Sequence, residues 1–477
     1  MCGFAGEFVF GSSGRADLAV AEAMATRLVH RGPDGEGSYI SKDGRYAVGF
    51  RRLAIIDPQL SHQPMASPKG DVVVAFNGEI YNYRELRREL SADGYQFRTK
   101  GDTEVLLALW QRFGQDMLKK INGMFAFVIY DEPNKRLFLA RDRLGQKPLW
   151  YSITSDRIIF ASEAKALFAH PLIEKVKQIE PESVGFYLTI GYVPAPRSIW
   201  KGILKLLPGH YLTVSAGKTS PETVRYWTVP AEGSKSADEK THDEVIQTVR
   251  SLLLSAVEKR MVADVPLGVL LSGGIDSSII AALMCKSAGT AGGVKTFTAG
   301  FVEGDFDDRP IAARVADHLK TDHTELLITP GDFDLPSLID KLVYQYDEPF
   351  ADSSALPTYL ICNAARQHVT VALDGDGGDE VFCGYDRYRA MRLIENLCPL
   401  GWVGVKIAAG AARFIAPDDE RSRLTRLIRF SAGLDNPPSR AYFIYRRLFS
   451  PEQLDFIMEC DFAQSARINQ PEQWFCD

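Results

Sequence analysis

VLLSGGIDSSIIAAL, residues 269–283, runs from an apolar strand through a turn of small residues into a helix. Gly273 and Gly274 let the backbone approach a ligand and take dihedrals closed to other residues. The helix is expected to begin near Asp276 and Ser277, with unpaired N–H groups facing the turn. Such a terminus is an anion site. The stretch is neither a G-x-x-x-x-G-K-S/T loop nor a G-x-G-x-x-G fingerprint. AGKTS at 216–220 lacks the first glycine of the former, because Leu212 stands there, and it reads as a hairpin turn. Taken alone, two glycines after a strand also suit a turn that serves only packing.

Around this loop the chain alternates. EVIQTVRSLLLSAVEKRM is helical and precedes the strand PLGVLL. KTFTAGF, TELLIT and VTVAL read as further strands, with helices such as RPIAARVADHL between them. Alternation predicts an α/β parallel sheet with helices on both faces and ligands at the carboxyl ends of its strands. Beyond about residue 385 the pattern is helical. VALDGDGGDE, 371–380, closes one of the strands. Its carboxylates suit Mg²⁺, which binds through one or two of them plus phosphate oxygens. An EF-hand is ruled out, since its fifth ligand position would be Gly378 and its twelfth Tyr385. A solvated acidic turn is the other reading.

Residues 1–228 have a different rhythm. VVVAFNGEI, MFAFVIYDE, RLFLARD, PLWYSI and RIIFASE are β-rich runs. NYRELRRELSADG and DTEVLLALWQRFG have helical spacing, with Asn82 and Asp102 as expected N-caps. Runs of strands with few helices predict layered α+β packing. PAEGSKSADEKTHDE, 230–244, is polar and reads as a linker. The expected organisation is a domain at 1–228, a linker at 229–244 and a second domain at 245–477. A chain of 477 residues exceeds one ordinary core, which agrees.

Composition narrows the class. Hydrophobic residues make up 45% and charged residues 24%, with net charge −6, as in soluble globular proteins. Nothing in that balance asks for nucleic acid or a membrane surface. Seven scattered cysteines without a CxxC pair read as reduced thiols in a cytoplasmic setting, and no zinc-type cluster is present. No signal peptide is expected, because the apolar start lacks a basic region and Glu7 interrupts it. WVGVKIAAGAARFIA, 402–416, is short, carries Lys406 and Arg413, and reads as a packed helix.

The first half holds its own chemistry. Cys2 follows Met1 directly. As a first residue it would carry a base, since a free α-amine with a pKa near ~8 is partly neutral at pH 7. Chance placement is the competing reading. Asn77 and Gly78, at the end of VVVAFNGEI, offer a side-chain amide and an unencumbered N–H, the parts of an oxyanion hole. A type I′ hairpin turn is the alternative for Asn-Gly. Arg52 could clamp a carboxylate or stand as a surface cation. Asp102 could hold an ammonium or only cap a helix.

Together the motifs resemble a family. MCGFAG, HRGPDG (30–35), RRLAIID (51–57), HQPM (62–65), FNGEIYNYREL (76–86), GDTE (101–104), GMFAF (123–127), RDRLGQKPL (141–149) and ASEAKAL (161–167) fall in order. They are similar to the glutaminase domain of class II glutamine amidotransferases, an N-terminal nucleophile (Ntn) hydrolase. SGGIDSS resembles the loop of N-type ATP pyrophosphatases. With YDEPFADSSALPTYL (346–360) and DGDGGDEVFCGYDRY (374–388), it resembles the synthetase domain of glutamine-dependent asparagine synthetases. YVPAPRSIWKGILKLLPGHYL (192–212) resembles the longer bacterial branch often linked to surface-polysaccharide genes.

The resemblance implies roles. Met1 is removed and Cys2 attacks the glutamine carboxamide. Asn77 and Gly78 hold the oxyanion. Arg52 takes the α-carboxylate, Asp102 the α-ammonium, and Glu79 lines the same pocket. Ammonia travels inside the molecule to a second site. There Leu271, Ser272, Gly273, Gly274, Asp276, Ser277, Gly375 and Asp376 seat ATP, and Asp276 and Asp379 hold Mg²⁺. An acceptor carboxylate, aspartate in the named family, is adenylated with release of pyrophosphate and converted to its amide with release of AMP. Asp374 stands where many members have serine, and Asp376 where better-known members have glutamate. Members continue into a helical region with K-V-D-R-type and E-V-R-x-P-F-L-D-type stretches. Neither occurs before Asp477, so a shortened synthetase half is expected. A homodimer is common in the family. Three functions stay open: asparagine synthesis, the same chemistry on another carboxylate such as a polysaccharide uronic acid, or a glutaminase whose nucleotide-binding half serves regulation or scaffolding.

Overall fold

The computed structural model describes all residues except 176, 219, 231–240, 290–292, 302–306, 330, 332, 397–398, 416–421, 460–463, 465, 467–469 and 477. Most of the expected linker, 229–244, lies outside the described residues. Compactness divides the chain into two units. One contains Met1–Ile179, Ala195–Asp347 and Leu356–Asp374; the other contains Glu180–Pro194, Glu348–Ala355 and Gly375–Asp477.

Among the described residues, the first unit opens with twelve strands. They are β1 (Gly3–Val9), β2 (Gly35–Ile40), β3 (Tyr46–Arg52), β4 (Met65–Ala66), β5 (Val72–Ile80) and β6 (Gly123–Asp131). β7 (Arg136–Arg141), β8 (Trp150–Ile153), β9 (Arg157–Ala161), β10 (Leu204–Lys205), β11 (His210–Ser215) and β12 (Glu222–Arg225) follow. They form two six-stranded antiparallel sheets, ordered β10-β8-β9-β1-β3-β2 and β12-β11-β7-β6-β5-β4. The sheets stack face to face. Phe4, Phe8 and Tyr46 of one meet Val73, Ala75 and Val128 of the other in a shared apolar core.

β5 shows why its first five residues, Val72–Phe76, are all apolar. Val73 and Ala75 face the opposite sheet, whereas Val72, Val74 and Phe76 pack with Leu86, Val105 and Leu109 of two helices, Tyr83–Ala92 and Asp102–Phe113. Both faces are buried, so the usual polar alternation disappears. Helix Leu18–Thr26 covers the other sheet, with Met24 packed beside Ala5 of β1 and Ile159 of β9. The result is helix, sheet, sheet, helix: the layered α+β packing expected. The AGKTS hairpin is found between the paired strands β11 and β12, although residue 219 is not described.

Three local readings meet different outcomes. Asn77 and Gly78 form no hairpin turn, because β5 continues to Ile80 and pairs with β6 throughout. Asp102 is not an N-cap: Gly101 is, and Asp102 is the first residue inside the helix. Asn82 does occupy an N-cap, but its amide bridges to the Lys120 carbonyl and the Asn122 N–H and makes no cap bond.

The same unit holds a four-stranded parallel sheet of β13 (Leu267–Leu270), β14 (Lys295–Phe301), β15 (Asp322–Ile328) and β16 (Val371–Leu373), ordered β15-β14-β13-β16. Its two faces are covered separately. Val269 and Leu271 pack with Ala281, Met284 and Ala312 of helices Ile275–Ala288 and Arg309–Leu319, while Leu270 joins Phe297, Ala365 and Val369. Strand order reverses between β13 and β16. Such a switch point opens a crevice at the carboxyl ends of the strands, here at Ser272 and Asp374.

The second unit is helical, as the tail pattern predicts. Helix Pro181–Ile190 packs through Phe186 and Ile190 against Phe443, and Phe186 stacks edge-on with Trp474. The apolar stretch at 402–416 lies largely in helix Pro399–Ala412, which buries Ala409 and Ala412. Among the described residues no helix is long and apolar enough to cross a membrane.

Candidate active site

Cys2 stands directly ahead of β1, where β3 ends beside it. Its Sγ accepts the Leu53 N–H at 3.4 Å and donates to the Leu53 carbonyl at 3.5 Å. Burial pushes the thiol pKa up, and the Leu53 N–H works against that. A thiol whose pKa is raised needs a base to become a nucleophile. The chain's α-amino group, here on Met1, is pushed down to about 5 by burial, with Arg31 and Lys147 adding to the shift. It is therefore neutral at pH 7.

Asn77 continues the β5 series Val73, Ala75, Asn77 and so points to the β1 side. With its amide oriented to satisfy both neighbours, the nitrogen donates to the Cys2 carbonyl at 3.0 Å and the oxygen accepts from Arg31 Nη2 at 3.2 Å. The NH₂ has a second proton, and Asn77 lines the cleft beside Cys2. Gly78 has φ +154°, and a β-carbon there would lie 2.1 Å from the Met124 carbonyl oxygen. The sheet approaches too closely for any side chain.

The cleft has a volume of about 50 Å³ with Met1 in its wall, and Cys2, Arg52, Asn77, Gly78, Glu79 and Asp102 all line it. All six residues singled out in the first half thus converge. Arg52 is buried, and its Nη1 and Nη2 donate to the Pro58 and Asp57 carbonyls at 2.7 and 2.8 Å. Asp102 accepts the Ile80 N–H at 3.0 Å. Burial raises Asp102 to about 6 against the pull of that N–H, and burial plus the Asp102 charge raise Glu79 to about 7. Two carboxyls crowded in a dry cleft resist ionising together, and a cation placed between them relieves both.

Sequence reasoning missed several neighbours. Lys147 lines the cleft, with Nζ 2.8 Å from Met1 Sδ, and burial lowers it to about 8. Arg31 donates from Nε to the Cys2 carbonyl at 2.9 Å and from Nη1 to Glu163 Oε1 at 2.6 Å. These residues sit inside quoted motifs, RDRLGQKPL, HRGPDG and ASEAKAL, but charge in a motif does not say what it faces.

The loop after β13 forms a second candidate site. Gly274 is the N-cap of helix Ile275–Ala288 and offers no side-chain acceptor to the first turn. The loop is braced from within: Ser272 N–H donates to Ser277 Oγ at 3.2 Å, and the two hydroxyls lie 3.0 Å apart. Gly273 has φ +75°, and a β-carbon there would meet Ile311 Cγ2 at 2.9 Å. Leu271 and Ser277 are buried, whereas Ser272, Gly274 and Ile275 are exposed. Unpaired N–H groups in an open loop, with half-buried Asp276 in the first turn, fit a phosphate with an associated Mg²⁺. Gly375, Asp376 and Asp379 lie in the second unit, where Asp379 is in the first turn of helix Gly378–Phe382. Its carboxylate fills the space a side chain at Gly384 would need. Among the described residues no group of three or more metal-ligating side chains occurs.

Comparison with known proteins defines the class. Residues 1–227 match the glutamine amidotransferase domain family, and residues 248–459 match the asparagine synthase family. A putative asparagine synthetase (glutamine-hydrolyzing) 2 of Methanocaldococcus jannaschii is 38% identical over 402 residues, covering 81% of this chain and 76% of that one. Asparagine synthetase (glutamine-hydrolyzing) 1 of Bacillus subtilis is 36% identical over 395 residues, covering 82% of this chain and 60% of that one. Amidase chry2 of Gibberella zeae is 32% identical over 395 residues, covering 79% and 57%. The chain belongs to the glutamine-hydrolysing asparagine synthetase family. The match spans three quarters of the archaeal relative and a smaller part of the other two.

Proposed function

We propose that the chain hydrolyses glutamine at Cys2 and uses the ammonia, with ATP, to convert a carboxylate, aspartate first, to its amide. The division into a glutaminase part at 1–228, a linker at 229–244 and a synthetase part at 245–477 belongs to the same reading. One observation carries it: Cys2, the Asn77–Gly78 pair, Arg52 and the crowded carboxyls Glu79 and Asp102 share one cleft.

Met1 leaves, and the Cys2 amine takes the thiol proton. The thiolate attacks the carboxamide carbon of glutamine. Asn77 Nδ2 and the Gly78 N–H stabilise the oxyanion. Arg52 binds the α-carboxylate, and Asp102 and Glu79 bind the α-ammonium, which lowers their raised pKa values. The amine returns its proton to the departing ammonia, and water hydrolyses the thioester to glutamate. At the second site Leu271, Ser272, Gly273, Gly274, Asp276, Ser277, Gly375 and Asp376 bind ATP. Asp276 and Asp379 would hold Mg²⁺, which would supply positive charge to the phosphates. The acceptor carboxylate attacks the α-phosphate and expels pyrophosphate, and ammonia then displaces AMP to form the amide. We place this chemistry in the cytoplasm; a homodimer belongs to the same proposal.

The amidase-named relative supports a second reading, in which the acceptor is another carboxylate. The glutaminase test is glutamate release by wild type and Cys2→Ala. Turnover is expected in wild type, with a loss of at least about 10³-fold in the variant. Equal rates would overturn the assignment of Cys2, as would a fully active protein that retains Met1 by intact mass.

A further inference from the structure

We propose that Lys165 and Asp347 are positioning residues of the glutaminase site, linked to the Cys2 carbonyl through a buried chain of alternating charges. The proposal rests on the glutaminase reading and extends that site into the second half of the sequence.

The chain can be followed atom by atom. The Cys2 carbonyl accepts from Arg31 Nε at 2.9 Å and from the Asn77 amide at 3.0 Å. Arg31 Nη1 donates to Glu163 Oε1 at 2.6 Å. Glu163 Oε2 meets His30 Nε2 at 2.8 Å and also accepts from Lys165 Nζ. Lys165 Nζ lies 3.2 Å from Asp347 Oδ1, and the Lys165 backbone N–H donates to Asp347 Oδ2 at 3.1 Å. The side chains of Arg31, Glu163, Lys165 and Asp347 are 4%, 6%, 9% and 7% exposed, so each charge depends on its neighbours rather than on water. Burial works to raise Glu163, but His30, Arg31 and Lys165 outweigh it and hold the carboxyl at about 2.

The far end is anchored. Asp347 ends helix Leu335–Tyr346 with φ +66°, its N–H donating to the Val343 carbonyl and its own carbonyl accepting from Trp200 Nε1 at 3.0 Å. The Tyr344 ring lies against both His30 and Lys165. The near end is the nucleophile itself and the amide assigned to the oxyanion. Arg52, Glu79 and Asp102 make no hydrogen bond to this chain among the described residues, so glutamine binding and nucleophile placement are separable.

Removing one charge leaves its partner buried and unpaired. Without Asp347, Lys165 keeps the Gln345 carbonyl at 3.5 Å and the Tyr344 ring but loses one of its two carboxylates, so it draws Glu163 from Arg31. A displacement on the order of 1 Å at a nucleophile costs up to about 100-fold in rate. The signature is therefore a fall in kcat with little change in KM.

The test uses the full chain without ATP or acceptor. Asp347→Asn, which tolerates the left-handed backbone, and Lys165→Met are compared with wild type for glutamate release. Each is expected to lower kcat about tenfold, with KM within about twofold. Alkylation of Cys2 by a diazoketone analogue of glutamine should slow in parallel, a readout independent of turnover. The double variant is expected to be no slower than the slower single variant, because the pair is lost together. Wild-type turnover with unchanged kcat and alkylation in both variants would overturn the inference and leave the glutaminase reading standing. Strictly multiplicative losses, or a loss in KM alone, would also overturn it. A wild type that releases no glutamate would fail the reading and this inference with it.

Discussion

Glu79 is a carboxyl in the wrong environment for a charge. Burial and the nearby Asp102 raise it to about 7 from an ordinary 4.5. A folded pKa above the unfolded one gives stability that is complete below about pH 4.5 and is lost as pH rises through 7. The full shift corresponds to at most ~3 kcal/mol. Glu79→Gln should therefore gain stability relative to wild type between pH 5 and pH 8, by ~1–3 kcal/mol, read from urea midpoints at the two pH values. An equal difference at both would show that Glu79 ionises normally. The same residues show what is legible locally. Cys2, Asn77, Arg52 and Asp102 each have a chemistry that their position suggests. Arg31 and Glu163 do not, because their meaning comes from a contact 132 residues apart in sequence.

At the scale of elements, β5 decides the site. Its apolar run announces a strand, but Asn-Gly announces a turn. The strand wins because Phe76, Gly78 and Ile80 stay paired with β6 and both faces are covered. Gly78→Ala should cost at least ~2 kcal/mol in unfolding free energy, since the new methyl meets the Met124 carbonyl in the neighbouring strand. Wild-type stability in that variant would contradict the close approach. β1 carries a weaker strand signal than β5. Gly3 and Gly6 dilute its pattern, yet a β-carbon at Gly6 would lie 2.2 Å from the Ala47 carbonyl oxygen. Its glycines therefore mark sheet packing rather than a loop. Helix Pro181–Ile190 is hard to see in the sequence for a related reason: Gly185 weakens its helical pattern, and its partners Phe443 and Trp474 lie far along the chain.

On the scale of the whole molecule, the antiparallel sheets and the segment ahead of the parallel sheet are joined by contacts that composition cannot reveal. The Asp57 N–H donates to Asp264 Oδ2 at 2.8 Å, the Asp264 N–H donates to the Ile55 carbonyl at 3.0 Å, and Arg260 lies 4.2 Å over the Tyr81 ring. The segment ahead of β13 is thus tied to the turn that Arg52 braces. Alternation of strands and helices made the parallel sheet legible, whereas grouping of Glu180–Pro194 with the helical unit depends on long-range packing. The most direct test of the account is pyrophosphate release by the 477-residue chain with ATP, Mg²⁺ and a panel of carboxylates headed by aspartate. Glutamine and ammonium serve in turn as nitrogen donor, for wild type and Cys2→Ala. The expected result is release by wild type with either donor and by the variant with ammonium alone. No release by wild type with any donor and carboxylate, or equal release by both proteins with glutamine, would contradict the account.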